Sequence, residues 1–410
     1  MRRRSFWVSV LALALTATVV FGMLALGGES GPIRVGVIYN TSGGLKWLDE
    51  PGLQGALLAA DQINESGGVL GRELEIVPAD GTTDVVKMTD LASELVGRED
   101  IVAIAGINEP LHAVAPVRAT IKRADGGFLT FAHSEIALAV GKVTQEANVP
   151  FVTAGSTLPG LPGQIGDDVF MVAATHQAGA TAMARFAWDD LGAHRAWVLV
   201  DERSQYAGTM AAAFESTWGE LGGEVIGDSY LPGAMIQIPD QIDRLEGLDS
   251  EPDVIFIASL QNDGGYLLDQ LREAGVDLPV LFADVVDPRY IEAMRGDMKD
   301  VFMATHGSLI GDDEAIREFA TAYEEAFGKA PESASAMLGY DSLRLIADAI
   351  DRAGSAQRDD ISRSLAETTD FAALTGDFSY PEGERVPAKP ITIVGYQQGE
   401  PTVVAEIPSH

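Results

Sequence analysis

The chain has 410 residues, too many for one ordinary hydrophobic core, and 46% of them are hydrophobic, so a folded protein of two domains is expected. Its 28 basic residues stand against 61 acidic ones, a net charge of −33, which excludes a phosphate-binding surface and with it nucleic acid as a partner. There is no cysteine, so disulfides, thiol nucleophiles, cysteine zinc sites and a lipid anchor on an N-terminal cysteine are excluded as well.

Arg2, Arg3 and Arg4 precede an uncharged run from Phe6 to Leu26. A positive start followed by an apolar stretch is the pattern of an export signal. The length also suits an uncleaved membrane anchor. Either way the arginines stay inside, and the chain from Gly31 onward lies outside the membrane, periplasmic or at the cell surface. Arg3-Arg4-Ser5-Phe6-Trp7 also fits twin-arginine export. Only seven basic residues are lysines, and an acid-rich, lysine-poor surface suits either high salt or an ordinary acidic exported protein.

Beyond that segment strand-like and helix-like stretches alternate. Ile33–Ile38 reads as a strand. Leu53, Ala56, Leu57, Ala60 and Ile63 carry a helical period from Pro51 to Asn64. Leu74–Pro78 is a strand, Val85–Val96 a helix and Ile101–Gly106 a strand. Leu111, Val114, Val117 and Ile121 then suggest a further helix, and Phe128–Phe131 a strand. Pro150–Ala154, Ala196–Asp201, Val225–Tyr230, Val254–Ala258 and Pro279–Ala283 follow as strands. Helices are expected over Gly208–Leu221, up to Ala274, and from Gly339 to Arg352. Ile391–Tyr396 reads as the closing strand. Such alternation predicts an α/β fold with parallel sheets covered by helices on both faces.

The first unit has specific wording. Its helix runs into Ile63-Asn64-Glu65-Ser66-Gly67-Gly68-Val69-Leu70-Gly71-Arg72. Gly339-Tyr340-Asp341-Ser342-Leu343 and Leu374-Thr375-Gly376-Asp377-Phe378 come later. In these phrases the chain resembles the leucine/isoleucine/valine-binding family, the solute receptors of ATP-driven importers, over nearly all of its length past Ile33. The resemblance implies two doubly wound lobes joined by three hinge crossovers near Ala173, Ala304 and Thr392. Lobe one would hold residues 31–172 and 306–392, and lobe two 173–305 and 393–410, with 1–30 the signal or anchor. It also implies a small-molecule ligand gripped between the lobes, a branched-chain or other small amino acid first and an amide or short carboxylate next. No cofactor is implied. The partner is a membrane permease, or a signalling protein if the receptor reports its ligand instead of delivering it. Asn108 to Phe131 departs from the family pattern as an added βα unit or a local duplication.

Thr153-Ala154-Gly155-Ser156-Thr157 is a small polar loop after a strand, where open parallel sheets bind ligands. Its N–H and hydroxyl groups can cradle a carboxylate. By the resemblance, Ser156 and Thr157 bind that carboxylate, joined by Ser134 at a helix start, with Asn108-Glu109 the competing loop. Asp284 would meet the ligand's ammonium group, and Tyr206 and Trp47 would cover it from the two sides. As plain residues, the same side chains are turn, cap and packing positions. No phosphate loop, nucleophile elbow or HExxH motif is present, and the six histidines lack metal-ligand spacing and read as surface or loop residues.

Overall fold

The structure, a computed structural model, describes residues 31–108, 119–122, 128–131, 136–202, 204–230, 238–259, 261–285, 297–311, 313–396 and 400–409. The export segment, Ser134, Glu109 and the expected inserted helix up to residue 118 lie outside these residues.

The first half builds one parallel sheet. Its elements are β1 (Ile33–Tyr39), α1 (Lys46–Glu65), β2 (Leu74–Asp80), α2 (Val85–Val96), β3 (Ile101–Gly106), α3 (Ile136–Glu146), β6 (Phe151–Thr153), α4 (Leu161–Ile165) and β7 (Val169–Met171). The strand order is β2-β1-β3-β6-β7, with every neighbour parallel. β1 and β3 are buried at nearly every position, as expected of strands covered by helices on both faces. Inside the inserted segment, β4 (Ala119–Lys122) and β5 (Phe128–Phe131) pair antiparallel as a separate ribbon. Ile121 is therefore in a strand and not in the expected helix. Thr120 and Ile121 are β-branched and favour the pleated conformation.

The chain then crosses to a second sheet. α5 (His176–Asp189) leads to β8 (Arg195–Asp201), α6 (Gln205–Leu221), β9 (Glu224–Tyr230), α7 (Pro239–Glu246), β10 (Val254–Ala258), α8 (Gln261–Glu273), β11 (Val280–Val285) and β12 (Val301–Thr305). After β12 it returns, and α9 (Glu314–Phe327) and α10 (Ala334–Ala353) pack against α1, with α11 (Arg358–Ala366) beside α10. It crosses a third time into β13 (Ile391–Tyr396) and β14 (Pro401–Ile407), which complete the order β14-β13-β12-β11-β10-β8-β9. β13 and β14 are antiparallel to their neighbours and the other five strands are parallel. Two α/β lobes with three crossovers result. Ile391–Tyr396 is not the closing strand, since β14 follows it and packs Val404 and Ile407 against the second core.

The phrases that carry the resemblance have structural work in the first lobe. Asn64 clamps the entry to β2: its Nδ2 donates to the Leu74 carbonyl (2.9 Å) and its Oδ1 accepts from the Leu74 amide (2.7 Å). Gly68 has φ +74, and a Cβ there would stand 1.9 Å from the Arg72 carbonyl oxygen, so only glycine fits this turn. Gly339 lets α10 lie on α1, because a Cβ would stand 2.0 Å from the Gly52 carbonyl oxygen. Buried Asp341 joins the other two phrases. It accepts from the amides of Leu374 (2.9 Å) and Thr375 (3.0 Å) and from the Thr375 hydroxyl (2.7 Å). The Thr375 hydroxyl in turn accepts from buried Lys389 (2.6 Å), one residue before the Pro390 that leads into β13.

Candidate ligand-binding site

In parallel sheets every strand delivers the chain to the same end, so the loops after β3 and β6 stand side by side. The Ala154 amide donates to the Gly106 carbonyl (3.0 Å), and the Gly155 amide to that of Ile107 (3.0 Å). This pairing sets Ser156 and Thr157, both buried, past the end of the first sheet, and Thr157 reaches the second lobe. The second sheet answers with the ends of β11 and β12, which carry Asp284 and His306.

Asp284 lies inside β11, not just past it as its sequence context suggested. The β11–β12 register slips between Phe282 and Val285, and Asp284 has φ +57, in the left-handed region. A bulge of this kind re-aims one side chain. An aspartate tolerates the conformation better than most residues but still pays in strain. The carboxylate is wholly buried. One oxygen accepts from the Thr157 hydroxyl (2.9 Å) and from the Tyr206 hydroxyl; the other accepts from His306 Nε2 (2.5 Å). Burial by itself would raise this carboxyl. The hydrogen bond and charge of His306, helped by the Tyr206 hydroxyl, outweigh it and hold the group below the usual carboxylate range.

Two helix starts complete the cluster. Ser204 caps α6 by accepting from the Ala207 amide (3.1 Å), which sets Tyr206 in the first turn. Thr175 caps α5 in the same way through the Ala178 amide (3.1 Å), which sets His176 at its first position. The His176 amide donates to the Thr157 carbonyl (3.0 Å), its Nε2 pairs with the Thr209 hydroxyl (2.9 Å), and its ring meets that of Tyr206 edge-on at 4.7 Å. Burial lowers the His176 pKa and raises that of Tyr206 well above its ordinary value, so a neutral ring and a protonated phenol face Asp284 at neutral pH. Neither histidine is a surface residue. Both are buried, and their lack of metal spacing hid a different role, pairing with a carboxylate and packing on a tyrosine. Among the described residues no acidic or histidine group has the makings of a metal site.

The structure thus brings Thr157, Tyr206 and Asp284 together, with Ser156 adjacent, and adds His176 and His306. Trp47 is 39% exposed in the first turn of α1. The helix starts one turn before Pro51, so Trp47 and Asp49 are helical and not in a loop. Asp49 is buried, and it ties the loop after β1 to that after β3. It accepts from the Asn40 amide (2.8 Å), the Asn40 side chain (2.6 Å) and the Asn108 amide (2.9 Å). Burial raises its carboxyl to about 6, although these hydrogen bonds oppose the shift.

Comparison with known proteins agrees with this architecture. A Leu/Ile/Val-binding protein of Rhizobium johnstonii, BraC3, is 23% identical over 94% of this chain and 97% of its own length. The solved leucine-binding protein LivK of Thermotoga maritima is 25% identical, covers 92% of this chain and 99% of its own, and superposes with a TM-score of 0.72. The Streptococcus pneumoniae branched-chain substrate-binding protein LivJ, solved with isoleucine, is 22% identical with a TM-score of 0.73, covering 92% and 99%. The family model described as periplasmic binding protein matches residues 32–125 and 122–400, and the chain belongs to that family.

Proposed function

We propose that the chain is the extracytoplasmic receptor of an ATP-driven importer, taking up a small carboxylate-bearing solute between its lobes and presenting the closed form to a membrane permease. The single observation that carries this reading is the buried carboxylate of Asp284, held jointly by Thr157 from the first lobe and by Tyr206 and His306. A site shared by two lobes couples occupancy to closure, because solute contacts from both sides exist only when the lobes meet. Relatives named for leucine, isoleucine and valine binding make amino acids and their close carboxylate kin the solutes to test first. Ser156 and Thr157 hold the solute carboxylate in this reading, and Trp47 covers the opening from the first lobe. Crossovers near Ala173, Ala304 and Thr392 serve as hinges, and residues 1–30 export or anchor the chain. The protein binds and does not turn its solute over.

A thermal-shift screen of the purified protein against amino acids and small organic acids tests the reading, since a ligand that prefers the folded form raises its melting temperature by mass action. A solute that stabilises the parent but not a Ser156→Ala/Thr157→Val variant supports it. A screen in which no small carboxylate shifts the transition overturns it. Solute uptake by vesicles holding a co-expressed permease of the importer class then distinguishes delivery from signalling.

A further inference from the structure

We infer that the Asp341–Thr375–Lys389 chain is a clamp that ties the three crossovers to the first lobe and so confines hinge bending to the residues just beyond it. The inference rests on the receptor reading above and locates the motion that reading requires. Each crossover changes lobe abruptly. Ala173 packs in the first core and its amide donates to the Ala154 carbonyl (3.0 Å), whereas Ala174 packs in the second core. Thr305 and Thr392 face each other in the β12–β13 ladder, and the Thr305 hydroxyl lies 3.2 Å from the Thr392 carbonyl oxygen and 3.1 Å from that of Gly307. Gly307 already leans on the first lobe: its φ is +113, and a Cβ there would stand 3.1 Å from the Thr375 Cα. His306, whose ring holds Asp284, lies between Thr305 and Gly307, so the bend passes through a residue of the candidate site.

One side chain reaches the other two crossovers. The buried Lys389 amine donates to the Thr375 hydroxyl (2.6 Å) and stands 3.4 Å from the Val172 carbonyl oxygen, at the head of the first crossover. The Lys389 backbone leads through Pro390 to Ile391, which packs in the second core. The Thr375 hydroxyl gives its own hydrogen to Asp341 (2.7 Å) on α10, and the same carboxylate fixes the Leu374 and Thr375 amides. Thr375 thus meets Gly307 with its backbone and Lys389 with its hydroxyl, and Lys389 brings in Val172. Burial pulls the Lys389 amine down to about 8, while the charges of Asp341 and Asp377 oppose the shift, so at pH 7 the amine remains charged. Burying such a pair is a poor source of stability, because desolvation offsets the attraction; its better-attested use is to specify one arrangement. Placed where three segments leave a lobe, the pair specifies the point at which they leave. A hinge absorbs its motion in a few residues. Without the clamp the motion spreads along the crossovers, and the lobes meet over a range of angles.

The test is a spin-label distance measurement on the full-length chain at pH 7 without solute, with labels at Val86→Cys and Tyr266→Cys, exposed positions on different lobes of a chain that has no other cysteine. Lys389→Met keeps the aliphatic stem and removes the amine. Asp341→Asn/Lys389→Met removes both charges, so no buried charge is left alone. Circular dichroism and melting check that the variants fold. The distance distribution is expected to widen in both, toward shorter and longer separations than the parent samples. Parental widths in both folded variants overturn the inference and leave the receptor reading standing. Widening in the single variant alone is the effect of a stranded Asp341 charge and overturns it too. Should neither variant fold, hydrogen exchange of the parent decides: the amides of Ala173, Leu374 and Thr375 should exchange as slowly as those of the β1–β3 ladder in the solute-free protein, and rapid exchange there overturns the clamp. None of these measurements uses a solute, so a thermal-shift screen that finds no ligand overturns the receptor reading separately.

Discussion

Thr157→Val tests whether the lobes are held together by the bond from Thr157 to Asp284. The substitution keeps the side-chain shape and removes only the hydroxyl. Asp284 retains Tyr206 and His306, so the carboxylate is not stranded. A hydrogen bond to a charged group contributes about 1.5–3 kcal/mol. Because this one spans the lobes, it exists only in the closed form, and its loss shifts the open–closed equilibrium by that amount. At 1.4 kcal/mol per tenfold, the closed-to-open ratio falls roughly 10- to 100-fold. Apparent solute affinity falls by up to the same factor, because the competent state is rarer. The chain has no cysteine, so two introduced ones are the sole labelling sites. Val86→Cys in α2 and Tyr266→Cys in α8 suit a spin-label pair, being 46% and 52% exposed on different lobes. The expected result is a distance distribution that moves toward the open form in Thr157→Val and stays parental in Thr157→Ser. A valine variant with the parental distribution refutes the argument.

Three further outcomes follow from the same geometry. Asp284→Ala leaves three donors without their acceptor and should cost about 2–5 kcal/mol of stability, whereas Asp284→Gly should recover about 1–2 kcal/mol of that by accommodating the left-handed backbone; denaturant unfolding of both checks the difference. Asp49 keeps its proton up to about pH 6 when folded, against an ordinary value of 3.8. The folded state therefore binds more protons across that interval, stability falls as pH rises through it, and the total is about 3 kcal/mol at most. Melting curves of Asp49→Asn should lack this slope between pH 4 and 6 relative to the parent; parallel curves would remove the assignment. With a net charge of −33, the melting temperature should rise from dilute to molar potassium chloride, and a flat response would rule out adaptation to salt.

Much of the fold was legible because its signals are local. Val85–Val96, Ile101–Gly106, Val254–Ala258 and Ile391–Tyr396 emerge with the bounds their periodicity suggests. Elements whose burial is decided by distant partners were not. α5 is rich in alanine, and its amphipathic face appears only once β11 to β14 lie beneath it. β14 is a half-exposed edge strand whose pairing with β13 supplies the order that its own side chains do not. Proline misplaced the start of α1: Pro51 suits a first turn, but buried Asp49, bonded to Asn40 and Asn108, carries the helix one turn further back.

The candidate site divides along the same line. Thr157 and Tyr206 were readable because a loop after a strand and the first turn of a capped helix are positions where local sequence fixes geometry. Asp284 was readable as a residue but not as a conformation, since the bulge that turns it inward is a property of the β11–β12 pairing. The histidines were invisible for a stronger reason. His176 and His306 are 130 positions apart and make no motif, and each becomes informative only beside a carboxylate that neither neighbours in sequence. A buried imidazole is costly when charged and unremarkable when neutral; an acidic partner decides which. Asp284 meets His306 at hydrogen-bond distance, and that bond helps hold its own carboxyl below the usual range. The histidine–aspartate pair is therefore legible only as a unit, assembled where the ends of two neighbouring strands meet, and neither residue announces it alone in the sequence.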